Sequence, residues 1–205
     1  MKFLIDTSPA TLARRKSDLI GGQFITPLTG YRNWGGAYAI DNGAFSGFDE
    51  RNFVRILKRD EQNREQCLFV TIPDVVGSCR RTLEVWKHRS RWVNGWKMAF
   101  VAQNGAEDMD IPWDEFHCLF LGGIDPWKDS QAAADVVKTA KILGKHIHIG
   151  RVNTIKRYKH FCSLGADTCD GSGIAMYDHM LERIEQGLSD DAQPNLFNDK
   201  LESGK

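Results

Sequence analysis

The chain has 205 residues, 41% of them apolar and 26% charged, which suits one globular domain with its own core and leaves too little for two. Lys plus Arg balance Asp plus Glu at 27 each, so a partner chosen by global charge is excluded while a local basic face stays open. Five scattered cysteines with no CxxC pair, together with the lack of a recognisable signal peptide, point to a reducing cytoplasm, and no apolar run approaches the length of a membrane span.

The opening Met1-Lys2-Phe3-Leu4-Ile5-Asp6 reads as a first strand, Lys2–Ile5. Further strands are expected at Gln23–Thr26, Ala37–Ile40, Cys67–Ile72, Lys97–Ala102, Cys118–Leu121, His146–Ile149 and Asp167–Cys169. Several are continuous apolar runs, as in parallel strands covered on both faces. Between them the spacing predicts helices over Glu50–Asn63 (Phe53, Ile56 and Leu57 on one face), Ser78–Asn94 (Ser78 as N-cap), Ser130–Leu143 (Ser130 as N-cap, Gly144 beyond the end) and Thr154–Ser163. Leu28–Gly36 reads as a loop where a crossover helix would belong. About eight strands separated by such segments predict an α/β fold, a compact (β/α)8 TIM-like barrel that is irregular in its N-terminal quarter. Residues 1–187 make the single barrel domain, and the polar stretch 188–205 reads as a poorly ordered tail.

Strand after strand ends in a polar or glycine-rich cluster. Asp41 follows Tyr38-Ala39-Ile40, Asp74 follows Val70-Thr71-Ile72-Pro73, and Asp170 follows Ala166-Asp167-Thr168-Cys169. Gln103-Asn104-Gly105, Gly122-Gly123-Ile124-Asp125 and Gly150-Arg151-Val152-Asn153-Thr154 end three more. The carboxyl ends of parallel strands are where ligands bind in such folds. A single aspartate there is as often an Asx-turn or a helix cap, but three together point to chemistry. Asp6 and Asp125 are second candidates. Asp167 is read as sharing a strand face with Asp170, where a structural hydrogen bond competes with a catalytic role. His146 and His148 are read as structural, one facing the barrel interior and the other the helices, and Cys169 as a packed strand residue.

Asp41-Asn42-Gly43-Ala44-Phe45 resembles the Asp-Ser-Gly-Gly-Phe motif of the tRNA-guanine transglycosylases. Val101-Ala102-Gln103-Asn104-Gly105 is similar to their Val-Gln-Gly strand end, and Phe120-Leu121-Gly122-Gly123 to their Gly-Gly strand end. Gly165-Ala166-Asp167-Thr168-Cys169-Asp170 resembles their Gly-Xaa-Asp-Xaa-Xaa-Asp segment. The four occur in the same order over most of the chain. The cysteine and histidine spacing of the family's C-terminal zinc site is missing. The shorter, zinc-free chain, with Pro73-Asp74-Val75-Val76-Gly77, resembles the DNA-modifying branch, the 7-deazaguanine DNA transglycosylases of bacteria and their viruses.

The resemblance implies a cytoplasmic enzyme, in the host cytoplasm if viral, that exchanges guanine in DNA for a 7-deazaguanine such as 7-cyano-7-deazaguanine, without cofactor or metal. It implies Asp170 as the nucleophile that forms a covalent glycosyl-enzyme and Asp41 as the proton carrier. Asp74 would read the amino and ring N–H edge of the base, with Gln103 and the amides of Gly122 and Gly123 on its O6 side. Phe45, Tyr38 or Trp127 would stack on the base. Arg151, Asn153 and Thr154 are candidates for the DNA backbone, with Lys156, Arg157 and Lys159 extending that group. The basic residues among Arg80–Lys97, interleaved with Trp86, Trp92 and Trp96, read more readily as a solvated helix face over core tryptophans than as a second track. A homo-oligomer is compatible with the sequence. Three alternatives stay open: the same exchange on tRNA, a barrel that binds nucleobase or nucleic acid without catalysis, and an unrelated hydrolase acting on a nucleoside or sugar phosphate.

Overall fold

Apolar runs of two to six residues, each stopped by turn residues or a polar cluster, become β1 (Lys2–Ile5), β2 (Ile20–Ile25), β3 (Tyr38–Ile40), β4 (Cys67–Thr71), β5 (Met98–Ala102), β6 (Cys118–Leu121), β7 (His146–Ile149) and β8 (Thr168–Cys169). In the computed structural model, which describes residues 1–192, each strand pairs in parallel with the next and β8 closes on β1. The result is an α/β fold built on a closed, eight-stranded parallel barrel. All eight expected strands are present; the largest change is β2, which begins at Ile20.

Among the described residues seven α-helices accompany them: α1 (Pro9–Arg14), α2 (Glu50–Asp60), α3 (Cys79–Arg89), α4 (Gln131–Ile142), α5 (Ile155–Ser163), α6 (Ser172–Met176) and α7 (Asp178–Ala192). The side chains of Asp49, Ser78, Ser130 and Thr154 accept the amides that open α2 to α5. The first two helices expected from sequence, both long, are α2 and α3, each continued by 3-10 helix. Residues 28–36 carry no helix, so the β2-to-β3 connection is a loop. Three helices escaped the sequence reading: α1, capped by Ser8 with Pro9 in its first turn, α6 and α7. The last runs past the tail boundary placed at Gly187, so residues 188–192 are helical; the rest of that expected tail lies outside the described residues. No helix among the described residues is long and apolar enough to cross a membrane.

Side-chain parity along the strands divides the core in two. The larger cluster joins Phe3, Ile5, Ile25, Tyr38, Ile40, Phe100, Leu119, Ile147 and Ile149 to buried helix residues such as Phe53, Ile56, Trp86, Val137 and Phe161. The smaller is made of the alternate strand residues: Leu4, Phe24, Ala39, Phe69, Ala99, Val101, Cys118 and Phe120. These fill the barrel interior. Phe24, Phe69 and Phe120 come from the even-numbered strands β2, β4 and β6, the alternate-strand layering expected of a packed parallel barrel. Their ring centroids lie 6.4–6.5 Å apart, with His148 set among them at 4.7–5.3 Å. Truncating one such buried ring costs about 3–5 kcal/mol, a large share of a typical domain's stability. The aromatic layer is thus a firm floor for whatever stands above it.

Candidate active site

Continuing the inward parity past the aromatic layer gives Asp6, Thr26, Asp41, Gln103, Gly122, Gly150 and Asp170, all of which line one cavity of about 540 Å³ at the carboxyl ends of the strands. Asp74, from the loop after β4, joins them. The volume falls within the usual range of small-molecule sites. Four carboxylates and one cation, Arg151, line it among the described residues. Leu28, Phe45 and Met176 present largely exposed apolar side chains to it.

Asp41 accepts the Gly43 amide (3.0 Å) on one oxygen and the Thr71 hydroxyl (3.1 Å) on the other. Burial, then the neighbouring charges of Asp170 and Asp74, push its carboxyl up to about 7. A group poised there can give and take a proton at neutral pH. Asp74 is held by two carboxamides, Asn42 Nδ2 at 2.8 Å and Gln103 Nε2 at 2.6 Å; burial raises its carboxyl too. Burial likewise raises Asp6, which accepts from Thr26 and Thr29. Asp170 accepts the Arg151 amide on Oδ1 (3.0 Å) and faces His148 Nε2 on Oδ2 (3.1 Å).

Arg151 is the only non-glycine residue with positive φ among the described residues (57°). That conformation costs about 1–2 kcal/mol for an L-residue. It aims the Arg151 amide at Asp170, while the guanidinium donates to the Gly123 carbonyl and lies 4.4 Å over the Phe45 ring. Backbone strain retained at a pocket is a mark of function.

Several expectations change. Gln103 does not read a ligand through its oxygen, because Oε1 already accepts the amides of Gly77 (2.8 Å) and Gly123 (3.0 Å); it braces Asp74. The Gly122 and Gly123 amides are spent as well, the former on the Ala102 carbonyl. The two glycines are there for space: a Cβ at Gly122 would sit 2.7 Å from Gln103 Nε2, and one at Gly123 2.4 Å from the Trp127 ring. Tyr38 cannot stack on a ligand, since its parity turns it into the outer core, where its hydroxyl donates to the Asn63 carbonyl. Trp127 packs on Gly123 with its indole N–H on Glu107, away from the cavity lining. Phe45 does line the cavity, and so does Tyr31, which the sequence reading missed.

Asn153 and Thr154 have local work. Asn153 Oδ1 accepts the Gly173 amide and Thr154 caps α5, so Arg151 alone of that trio reaches the cavity. Arg157 is paired with Asp125 and Asp129, which removes Asp125 from the candidates and half-neutralises the second basic group. Trp86 is buried with its N–H on Glu115, and Arg89 lies over Phe48 and Trp92, as expected of a helix face over a core. Asp167 faces away from Asp170, because an offset of three residues reverses strand parity; it pairs with Lys141 (3.1 Å) and accepts the Ile147 amide. His146 and His148 both face inward, because residues two apart share a face. Cys169 is buried in the outer core.

Two further residues were missed. Asn42 is buried, donates to Asp74 and the Ile72 carbonyl, and accepts the Ala44 amide. Lys128 is fully buried, donates to the Gly150 carbonyl, and is pushed down to about 7 by burial against the pull of Asp170. No group of three or more His, Cys, Asp or Glu side chains converges as a metal cage among the described residues. No protein-family model matches this chain, and no curated protein sequence matches it.

Proposed function

We propose that this protein exchanges guanine in DNA for a 7-deazaguanine base through an aspartyl-glycosyl intermediate on Asp170. The reading takes the barrel as a TIM-like (β/α)8 enzyme with its site at the usual end. The observation that carries it is the meeting in one cavity of three carboxylates with unlike surroundings, Asp170, Asp41 and Asp74. The ordered motif resemblance across Asp41 to Asp170 supports it.

An oxygen of Asp170 attacks C1′ as the C1′–N9 bond breaks, and the bonding pair leaves with guanine. Asp41, in its acid form, supplies the proton that neutralises the leaving base. The incoming deazaguanine gives a proton back to Asp41 and attacks C1′, releasing the Asp170 carboxylate. Two inversions give net retention, as in retaining glycosidases. Asp74, fixed on both oxygens by carboxamides, is an acceptor for the N–H edge of the base, and Phe45 offers a face for stacking. The target nucleotide must leave the duplex to enter such a cavity.

The excess of carboxylates over cations in the lining favours an uncharged base and sugar over a free sugar phosphate, which weighs against the sugar-phosphate form of the hydrolase alternative. DNA is preferred to tRNA on the resemblance to the zinc-free branch. Nucleosides from duplex DNA, single-stranded DNA and tRNA, each incubated with the protein and 7-cyano-7-deazaguanine, are analysed by mass spectrometry. Deazaguanosine in DNA alone is expected. Incorporation into tRNA alone replaces the substrate, and free guanine without incorporation replaces the reaction by hydrolysis.

A further inference from the structure

The attacking carboxylate stands at the upper end of a hydrogen-bonded ladder that the transglycosylase reading leaves unused. β7 and β8 pair in register with His148 opposite Thr168. Inward parity then stacks four side chains between the two strands. His146 Nε2 lies 2.8 Å from Thr168 Oγ1, Thr168 Oγ1 lies 2.9 Å from His148 Nδ1, and His148 Nε2 lies 3.1 Å from Asp170 Oδ2.

Proton counting, with His148 neutral, fixes the direction of each bond. A carboxylate only accepts, so His148 Nε2 carries a hydrogen. Burial at 0% exposure holds His148 below its ordinary value, so the ring is neutral and Nδ1 must accept. The donor to Nδ1 is the Thr168 hydroxyl, whose oxygen then accepts from His146 Nε2–H. Each of the three contacts then has one donor and one acceptor, and both rings stay neutral. An imidazolium would instead donate from both nitrogens. Thr168 would then accept from Nδ1–H and donate to His146 in its other tautomer, and what disfavours this arrangement is the burial of a charged His148 ring among Phe24 and Phe120.

We infer that His148 is a positioning residue for Asp170, locked by Thr168 and His146 as the Nε2–H tautomer so that it fixes the rotation of the carboxylate. This rests on the reading of Asp170 as nucleophile. With Oδ2 tied to His148 and Oδ1 to the Arg151 amide, the plane of the carboxylate is set, and each oxygen keeps one lone pair for attack. His148 gives up no proton at any step. Its ring is wedged between Phe24 at 5.3 Å and Phe120 at 4.7 Å, so the donor cannot swing away. Aim is thereby built into the barrel floor rather than left to a loop.

The test combines imidazole 15N spectra with steady-state kinetics. In the wild-type protein His148 is expected to show a protonated Nε2 and a bare Nδ1, and Asp170→Asn to shift Nε2 while Nδ1 stays bare. Thr168→Val removes the tautomer lock, and His148→Gln retains an N–H at a similar reach. His148→Ala and Thr168→Val should lower kcat roughly 10- to 100-fold, the usual effect of losing a group that orients a reacting one, with KM for the base unchanged. His148→Gln should recover most of the loss. A protonated Nδ1 in the wild type, or a folded Thr168→Val enzyme with unchanged kcat and a single Nε2–H signal, overturns the proposal. If His148→Ala fails to fold, Thr168→Val and the wild-type spectrum still decide. Exchange surviving in Asp170→Asn sinks the nucleophile and the positioning role with it, and an intact Nε2–H signal then shows that the ladder was read correctly and the reaction was not.

Discussion

The two sides of the barrel mouth hold their carboxylates in different ways. On the β3–β5 side Asp74 receives Asn42 and Gln103, neutral carboxamides whose own oxygens are tied down by backbone amides. On the β7–β8 side Asp170 receives an imidazole and a backbone amide from a strained residue, with the Lys128 amine buried nearby under its influence. The first arrangement is a fixed acceptor that nothing invites to react. The second keeps a carboxylate aimed by two neutral donors with an amine close by, which suits a group that must form an ester and leave it again. Asp41 lies electrostatically between them, raised by both neighbours.

The largest expected effect breaks the contrast at its reactive end. Asp170→Asn should cut exchange on the order of 10⁴-fold or more, the scale seen when a covalent nucleophile is lost, while labelled base still binds in equilibrium dialysis. Asp41→Asn comes next, with a 100- to 10,000-fold loss expected for a missing proton carrier, by about the range given for general acid–base groups.

The Asp41 variant also has a pH signature. A carboxyl raised to about 7 holds in the fold a proton that the unfolded chain releases in the ordinary carboxylate range. Its contribution to stability is therefore complete below that range, declines as pH rises, and is gone once pH passes about 7. Melting temperatures across that interval should slope downward in the wild type and flatten in Asp41→Asn. Asp74→Asn, which swaps an acceptor for a donor opposite the base edge, should cost about 1.5–3 kcal/mol, read as a roughly 10- to 100-fold rise in KM for the base with kcat little changed. Should Asp74→Asn lower kcat as far as Asp170→Asn does, the contrast between the two sides is wrong. The smallest effect is expected at Phe45→Ala, where a lost stacking face is worth about 0.5–1.5 kcal/mol of base affinity.

Much of this was legible in the sequence. Eight apolar runs with polar ends predict a parallel barrel and its functional end, and the placement of Asp41, Asp74 and Asp170 in one cavity follows from that. The failures share a physical cause. Parity on a strand has period two, and applying it to Tyr38, Asp167 and the His146–His148 pair would have turned the first two outward and both histidines inward. The spent amides of Gly122 and Gly123 and the occupied oxygen of Gln103 carried no such signal, because they depend on which loops meet above the barrel. Short α1 and α6 lie below the length at which helical periodicity speaks. The polar sequence of α7, which includes Ser189 and Asp190, hides an amphipathic helix with Leu181 and Ile184 buried.

Thr168 and Cys169 make up the whole of β8, the shortest strand of the ring, and two pairs of residues on each flank join it to β1 and β7. The seam on either side of β8 is therefore thinner than the four-pair ladders of β5–β6 and β6–β7. In native-state hydrogen exchange this seam should breathe before β5 and β6, whose shared ladder has four pairs. Each such opening would carry Asp170 out of alignment with His148 and the Arg151 amide well before the chain as a whole unfolds.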